Sequence, residues 1–216
     1  AGLSFGGDVP GTTAATEEFN RSSSVITAGA WAAGGALLNA RYQMAGCGTL
    51  TAGLAFGGYT TTSVALTEEY DGTSWTAETA MGTARYEQGN GSGTQTAGLC
   101  VAGRAGGTRL SNVEEYNGST WSEETDFPAV RSSHGSAGTQ TAAIAALGST
   151  SGPALVATSF EYDGTNWAAG GTAATARNAA FATGTQTATI FAGAGSGNTV
   201  AESYDGTSFT TLGAMV

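Results

Sequence analysis

The chain has 216 residues, 40% of them hydrophobic, and 17 acidic residues against 7 arginines and no lysine, which gives a net charge of −10. This length suits one large domain that buries about 70% of its unfolded surface, and the hydrophobic share excludes a disordered chain. The negative charge argues against a nucleic-acid partner, because such a surface repels phosphate backbones. No apolar run approaches the roughly 18 residues of a membrane span, so no membrane insertion is expected.

The sequence repeats itself with a period of about 45 residues. In chain order, a diverged first copy is followed by three full copies and one partial copy. The repeat units are 1–50, 51–95, 96–140, 141–186 and 187–216. All four tryptophans fall at one repeat position, and an arginine follows each of them ten residues later. The pairs are Trp31 and Arg41, Trp75 and Arg85, Trp121 and Arg131, and Trp167 and Arg177, with Phe209 at the tryptophan position of the last copy.

Each full copy indicates four short strands, named a to d in chain order. Strand a follows the arginine, as in Tyr86–Ser92, and strand b ends at glycine, as at Gly57-Gly58. A variable b–c loop precedes strand c, which carries an acidic residue and a tyrosine. An Asp-Gly or Asn-Gly pair then leads to strand d at the tryptophan. These pairs predict a tight hairpin in which both residues adopt positive φ.

Four antiparallel strands repeated at this period are typical of propeller blades. The chain is therefore predicted to be one all-β domain, a β-propeller of about five four-stranded blades in which 19 strands leave one blade without its innermost strand a. A single blade cannot bury both faces of its sheet, so the aromatic residues of strands c and d are expected to fill the gaps between blades. The recurring arginines are expected to contact glutamates or backbone carbonyls, since a buried charge must be paired.

The pattern resembles the kelch repeat, in which an apolar strand ends in Gly-Gly and a Glu, a Tyr and an Asp precede a Trp. The second copy carries it as Leu54–Gly58, Glu68, Tyr70, Asp71 and Trp75. More narrowly, the chain looks like kelch-like proteins of marine and other environmental bacterial viruses. The resemblance implies an extracellular or virion-surface module for host recognition, which binds a protein or glycan or has a structural role in a larger assembly. It also implies that b–c loops and d–a links share one face.

The variable loops are where a binding function is expected. Arg104 and Arg109 fall in one b–c loop, and Tyr59 lies in the preceding one, which makes them the best contact candidates on an acidic protein. Tyr86 and His134, from strand a of two blades, complete the predicted binding residues. The b–c loops are 8–13, 59–63, 104–110, 149–154 and 195–198, and an insertion at 21–29 is expected to project from the opposite face.

Catalysis is not expected. A catalytic residue is normally unique, whereas the glutamate and arginine recur from copy to copy. His134 is the only histidine, so any serine or cysteine triad would need it, and a channel-lining or surface role is expected instead. Three alternatives stay open, one of which is a purely architectural subunit. A lectin-like propeller would carry one sugar site per blade, and a glycosidase or lyase would use unpaired acids such as Glu78 and Glu87.

No metal site and no cofactor are expected. One histidine and two distant cysteines cannot supply a zinc site, although calcium bound through carboxylates and carbonyls stays open. Cys47 and Cys100 occupy non-equivalent repeat positions, which favours buried free thiols over a disulfide framework.

Overall fold

The computed structural model describes residues 34–151, 154–194 and 198–214. The chain divides into two compact units, Ala1–Ala33 and Gly34–Val216, and the first lies outside the described residues. The strands expected from the first copy, the loop at 8–13 and the insertion at 21–29 therefore lie outside them as well. That the whole chain is a single domain stays a prediction.

The second unit is a β-propeller of four blades. Each blade is a four-stranded antiparallel sheet in which the strands lie in chain order. The blades, named I to IV, run from residues 45–78, 92–123, 135–172 and 181–211. The all-β prediction is confirmed. The strands are β1 (Ala45–Thr49), β2 (Ala52–Phe56), β3 (Thr67–Tyr70), β4 (Trp75–Glu78), β5 (Ser92–Thr94), β6 (Ala97–Ala105), β7 (Thr108–Tyr116), β8 (Trp121–Glu123), β9 (Gly135–Thr139), β10 (Ala142–Ala146), β11 (Thr158–Tyr162), β12 (Trp167–Thr172), β13 (Phe181–Thr185), β14 (Ala188–Ala194), β15 (Asn198–Tyr204) and β16 (Phe209–Thr211).

The described residues form four blades, not the five expected. The 16 strands correspond to the last 16 of the 19 predicted, and the other three fall within residues 1–33. Blade IV differs from the others in its exposure. Ile190 on strand b is 44% exposed, whereas the equivalent Leu54, Leu99 and Ile144 are at most 2% exposed. Each of those three faces meets the following blade, and the described residues place no sheet against this face of blade IV.

The inner strands β1, β5, β9 and β13 contact one another in sequence and line a central channel. Strand a of blade II begins at Ser92, later than predicted, because the chain first passes through the left-handed conformation at Glu87 (φ 53°). The same conformation recurs at Gln43, Ser133 and Ala179. The Ser133 backbone N–H donates to the Glu87 carbonyl at 2.7 Å, and Ala179 donates to Ser133 in the same way. Backbone hydrogen bonds thus link successive blades around the channel mouth.

The c–d connections differ from the predicted two-residue hairpin. In blade I, Tyr70 pairs with Trp75, so four residues make the turn. Only Gly72 adopts positive φ (96°), while the Asp71 carboxylate accepts backbone hydrogen bonds from Thr73 and Ser74 at 2.8 Å. These bonds hold the pKa of Asp71 below its usual value. Hydrogen bonds to the aspartate side chain therefore stabilise this turn, and a second residue with positive φ is not needed.

Hydrophobic clusters lie between successive blades, as predicted. Between blades I and II, Phe56 and Tyr116 belong to one buried cluster, and Trp121 packs against it with its ring centroid 5.0 Å from that of Phe56. Cys100 is buried in this cluster, Cys47 is half-buried beside it, and both are free thiols. Equivalent clusters fill the interfaces of blades II and III and of blades III and IV.

Two polar contacts repeat at each of these interfaces. The Tyr116 hydroxyl of blade II donates to Glu69 of blade I at 3.0 Å, and Tyr162 and Tyr204 make the same contact to the preceding blade. The Gln95 side chain, from the a–b turn of blade II, donates to the carbonyls of Gly53 and Tyr70. Gln140 and Gln186 repeat this bond, so the Gly-Thr-Gln turn of the sequence is an inter-blade clasp.

Buried Arg–Glu pairs join three d–a links to the following strand c. The pairs are Arg41–Glu68, Arg85–Glu114 and Arg177–Glu202, and each of these side chains is at most 1% exposed. The glutamate also accepts backbone N–H groups of the link, as from Gly82 to Glu114 at 2.6 Å. The prediction that the recurring arginines contact glutamates or backbone carbonyls is confirmed for these three pairs.

Blade III breaks this pattern because Phe160 stands where the glutamate is expected. Arg131 is 1% exposed and donates to the carbonyl and hydroxyl of Thr158, with no carboxylate partner among the described residues. Instead its guanidinium lies 4.9 Å from the ring centre of Phe127 and 5.5 Å from that of Phe160. Burial without a counterion lowers the pKa of Arg131 to about 10. Two aromatic faces therefore replace the carboxylate in this blade.

We expect Glu114→Gln to lower the free energy of unfolding by about 3 kcal/mol or more, because it leaves the buried Arg85 without a counterion. Denaturant unfolding monitored by tryptophan fluorescence measures this change. The matched control is Glu115→Gln, one residue away, where only a half-buried bond from the Tyr162 hydroxyl is altered. The control is expected to lose at most about 1.5 kcal/mol. An equal decrease in the free energy of unfolding of the two variants would show that the buried ion pair stabilises the fold no more than the Tyr162–Glu115 hydrogen bond does.

Candidate binding site

One face of the propeller carries both the b–c loops and the d–a links, as the sequence resemblance implied. Isolated backbone bridges join a link residue to the residue that directly follows the strand-b glycine in three successive places. They are Tyr42 with Tyr59, Tyr86 with Arg104, and Ser132 with Ser149. Side chains from elements far apart in sequence are thereby fixed side by side on this face.

Three tyrosines form a continuous row on this face, and we call Tyr42, Tyr59 and Tyr86 the tyrosine row. Its ring centroids are 5.5 Å apart between Tyr42 and Tyr59 and 4.8 Å apart between Tyr59 and Tyr86. The Arg104 guanidinium lies 5.9 Å from the Tyr86 ring centre and ends the row. Tyr42 is 56% exposed and the other two are half-buried, so the row presents aromatic surface to solvent.

The tyrosine row belongs to blades I and II alone. At the equivalent positions of blade III stand Ser132 and Ser149, which are bridged in the same way but present no ring. The backbone scaffold of this face is thus repeated, whereas its aromatic character is local. A local feature on a repeated scaffold is typical of a single binding site.

A polar cluster lies between the tyrosine row and the channel mouth, centred on Glu87. Its carboxylate accepts from the Gln43 amide at 3.2 Å and the Ser133 hydroxyl at 3.1 Å, and it lies 3.6 Å from the Arg104 guanidinium. Glu87, Gln43 and Ser133 all occupy left-handed positions at the channel mouth. The cluster therefore ties Arg104, beside the tyrosine row, to the rim of the channel.

Beneath this cluster the channel mouth holds a cavity of about 290 Å³. Its polar wall includes Gln43, Glu87, Gln88, Asn90 and His134. Apolar side chains close the rest, among them Met44, Ala180 and the 60% exposed Phe181. The cavity combines apolar surface with a few convergent polar groups, which is the usual composition of a ligand pocket.

His134 lies in the cavity wall and is 3% exposed. Neither ring nitrogen has a hydrogen-bond partner, and the ring stacks on Phe127 with centroids 6.1 Å apart. Burial, reinforced by the positive charge of Arg131, lowers the pKa of His134 to about 3. The imidazole is therefore neutral at physiological pH, with one nitrogen that can donate and one that can accept.

The structure brings together three of the five predicted binding residues. Tyr59, Tyr86 and Arg104 lie in or beside the tyrosine row. Arg109 does not join them, because its guanidinium donates to the Ser149 hydroxyl at 3.2 Å. His134 lies below the surface in the cavity wall.

The segment 104–110 is also not the loop that was predicted. Arg104 pairs with Arg109 across a regular hairpin that turns at Gly106-Gly107, so β6 and β7 extend beyond the other blades' strands. Sequence reasoning missed Tyr42 and Gln43. Tyr42 follows Arg41 as Tyr86 follows Arg85, and this register was the available signal.

The acidic residues proposed for a glycosidase or lyase are far apart in the fold. Glu78 ends the outermost strand of blade I, whereas Glu87 lies at the channel mouth. Within the described ranges, no group of three or more His, Cys, Asp or Glu side chains is placed to hold a metal ion. The same ranges contain no helix long and apolar enough to cross a membrane.

Comparison with known families and with curated proteins gives no match for the chain. The kelch resemblance therefore depends on the repeat residues and on the propeller fold.

Stability is expected to fall as the pH is lowered from about 6.5 towards 3, because the unfolded chain protonates His134 in this range and the folded chain does not. The slope contributed by this residue approaches about 1.4 kcal/mol per pH unit. His134→Ala, which copies Ala180 at the equivalent position, removes the contribution. Urea unfolding measures the free energy of unfolding of both proteins across this pH range. The carboxylates titrate in both proteins, so the difference between the two curves is the contribution of His134. Parallel stability–pH curves would contradict the prediction.

Proposed function

We propose that this chain is a non-catalytic, kelch-like binding module that engages a protein or glycan through the tyrosine row and the adjoining channel mouth. In line with the sequence resemblance, we place it at an extracellular or virion surface, where such a module would recognise a host. The observation that carries the proposal is the row of Tyr42, Tyr59 and Tyr86, which ends at Arg104 and occurs on one side of one face.

Tyrosine and arginine are the residues that most often dominate binding energy at interfaces. A tyrosine ring offers a large amphipathic contact at low conformational-entropy cost. Here the rings and Arg104 also support one another, and Glu87 fixes Arg104 from the channel side. The site is thus preorganised, which reduces the entropy lost on binding.

The distribution of the side chains favours one binding site over a site in every blade. A lectin-like propeller with repeated sites requires matching residues at equivalent positions, and Ser132 and Ser149 do not match the tyrosines. The acidic surface further favours a ligand that is neutral or basic overall, because an acidic partner would be repelled.

The test begins with labelled wild-type chain screened on a glycan array and on a displayed peptide library. The best ligand from either screen is then titrated against Tyr59→Ala and Arg104→Ser. We expect at least tenfold weaker binding for Tyr59→Ala, since removing a central aromatic contact costs about 1.4 kcal/mol or more.

Arg109→Ser is the matched control. It removes an arginine from the same hairpin, paired across the strands with Arg104, but its guanidinium contacts Ser149 and not the tyrosine row. Its affinity is expected to stay within about twofold of wild type. The proposal fails if neither screen yields a ligand, or if the ligand binds Tyr59→Ala as tightly as the wild type.

A further inference from the structure

We propose that the tyrosine row binds a proline-rich segment of another protein in the polyproline II conformation. This inference rests on the proposed function, because it concerns the same site and names the class of ligand. A polyproline II helix has no internal hydrogen bonds, so its backbone carbonyls are free to accept them from a partner. Proline itself has no backbone N–H, so such a segment presents acceptors and compact apolar rings.

The hydroxyl groups of the tyrosine row are free and within reach of a ligand. The inter-blade tyrosines, such as Tyr116, each donate a hydrogen bond to a glutamate. In contrast, no described residue bonds to the hydroxyl groups of Tyr42, Tyr59 and Tyr86. Tyr42 is 56% exposed, and the hydroxyl groups of the half-buried Tyr59 and Tyr86 retain contact with solvent. The row therefore offers three aromatic rings, each with an unused hydroxyl donor.

Acceptors in and beside the row are already engaged. Tyr42 and Tyr59 exchange both of their backbone hydrogen bonds, and Tyr86 and Arg104 do the same. The adjacent Glu87 carboxylate accepts two side-chain bonds and lies 3.6 Å from the Arg104 guanidinium. That guanidinium can only donate, and its side chain is 31% exposed. The surface thus presents mainly donors, which suits a proline-rich backbone better than an ordinary peptide or a sugar, both of which carry donors of their own.

The dimensions and shape of the row agree with this ligand. Its centroid steps of 5.5 Å and 4.8 Å make it at most about 10 Å long. One turn of polyproline II is about 9 Å long, because its three residues each rise about 3.1 Å. Neighbouring rings meet at 57° and 66°, so the row is stepped, with corners that suit small pyrrolidine rings. Two prolines three residues apart can therefore occupy its two ends, as in other aromatic-lined sites for proline-rich segments.

The ligand does not come from these 216 residues. They contain three prolines, Pro10, Pro128 and Pro153, and no two of them are three residues apart. The net charge of −10 also favours a segment flanked by lysine or arginine over one flanked by acidic residues. We therefore infer a proline-rich segment of a different protein, with basic flanks.

The probe is a capped octaproline peptide with one lysine at each end, titrated into the labelled chain and followed by amide NMR signals. An octa-alanine peptide with the same lysines is the comparison. We expect the octaproline peptide to shift the signals of Tyr42, Tyr59 and Tyr86, and to bind at least tenfold more tightly than the octa-alanine peptide. Among alanine peptides that carry two prolines, we expect a spacing of three residues to bind more tightly than a spacing of two.

Substitution by phenylalanine separates the hydroxyl groups from the rings. Tyr59→Phe and Tyr86→Phe keep the aromatic surface and remove one donor each, so we expect each to weaken octaproline binding about three- to tenfold. The matched control is Tyr70→Phe, because Tyr70 lies beside the c–d turn of blade I, at the other end of the sheet. Its affinity is expected to stay within about twofold of wild type. Thermal melting of each variant checks that it is folded.

The inference is overturned if the octaproline peptide does not bind, if octa-alanine binds as tightly, if both proline spacings bind equally, or if both phenylalanine variants of the row bind as the wild type does. Its failure is distinguishable from that of the proposed function. A glycan or a proline-free peptide that requires Tyr59, together with no octaproline binding, would remove the proline-rich ligand and leave the binding module standing. Octaproline binding that is unchanged in Tyr59→Ala would remove the tyrosine row from both proposals.

Discussion

Packing of each blade against its neighbours is the constraint on which the rest of this structure depends. Core residues such as Leu99 and Ile144 become buried only where the following blade covers them, and Ile190 shows the exposure that results where no described sheet does so. The polar contacts obey the same rule. The Tyr116 hydroxyl and the Gln95 amide both donate to the preceding blade, so hydrogen bonds as well as apolar packing fix the relative position of neighbouring sheets.

One departure from the repeat connects the core to the candidate site. Because Phe160 replaces a glutamate, Arg131 keeps an uncompensated positive charge between Phe127 and Phe160. That charge adds to burial in lowering the pKa of His134. The histidine in the channel wall is therefore held neutral partly by a substitution on strand c of blade III.

The sequence was sufficient for the repeat, the strand order and the structural role of the Arg–Glu pairs, because identical residues in register must occupy equivalent environments. It could place Tyr59 and Arg104 on one face for the same reason. It could not separate Arg104 from Arg109, since a regular hairpin in place of a loop sends the two side chains to different neighbours. Nor could it reveal that His134 is buried, because that follows from the aromatic packing of Phe127.

The same logic separates architecture from recognition. Residues that recur at each described interface, such as the glutamine clasp, maintain the scaffold. Residues that differ at a repeated position are not needed to maintain the scaffold, and several of them lie close together on one face. Serine or asparagine occupies the position of Tyr42 and Tyr86 in later copies. Met44, Gln88 and Ala180 occupy the position of His134 in the other copies. The tyrosines form the tyrosine row, and the second set lies in the wall of the adjoining channel mouth. A single specific site in a repeat protein requires residues that differ from one repeat to the next. In this fold such residues lie where the loops, the links and the inner strands meet.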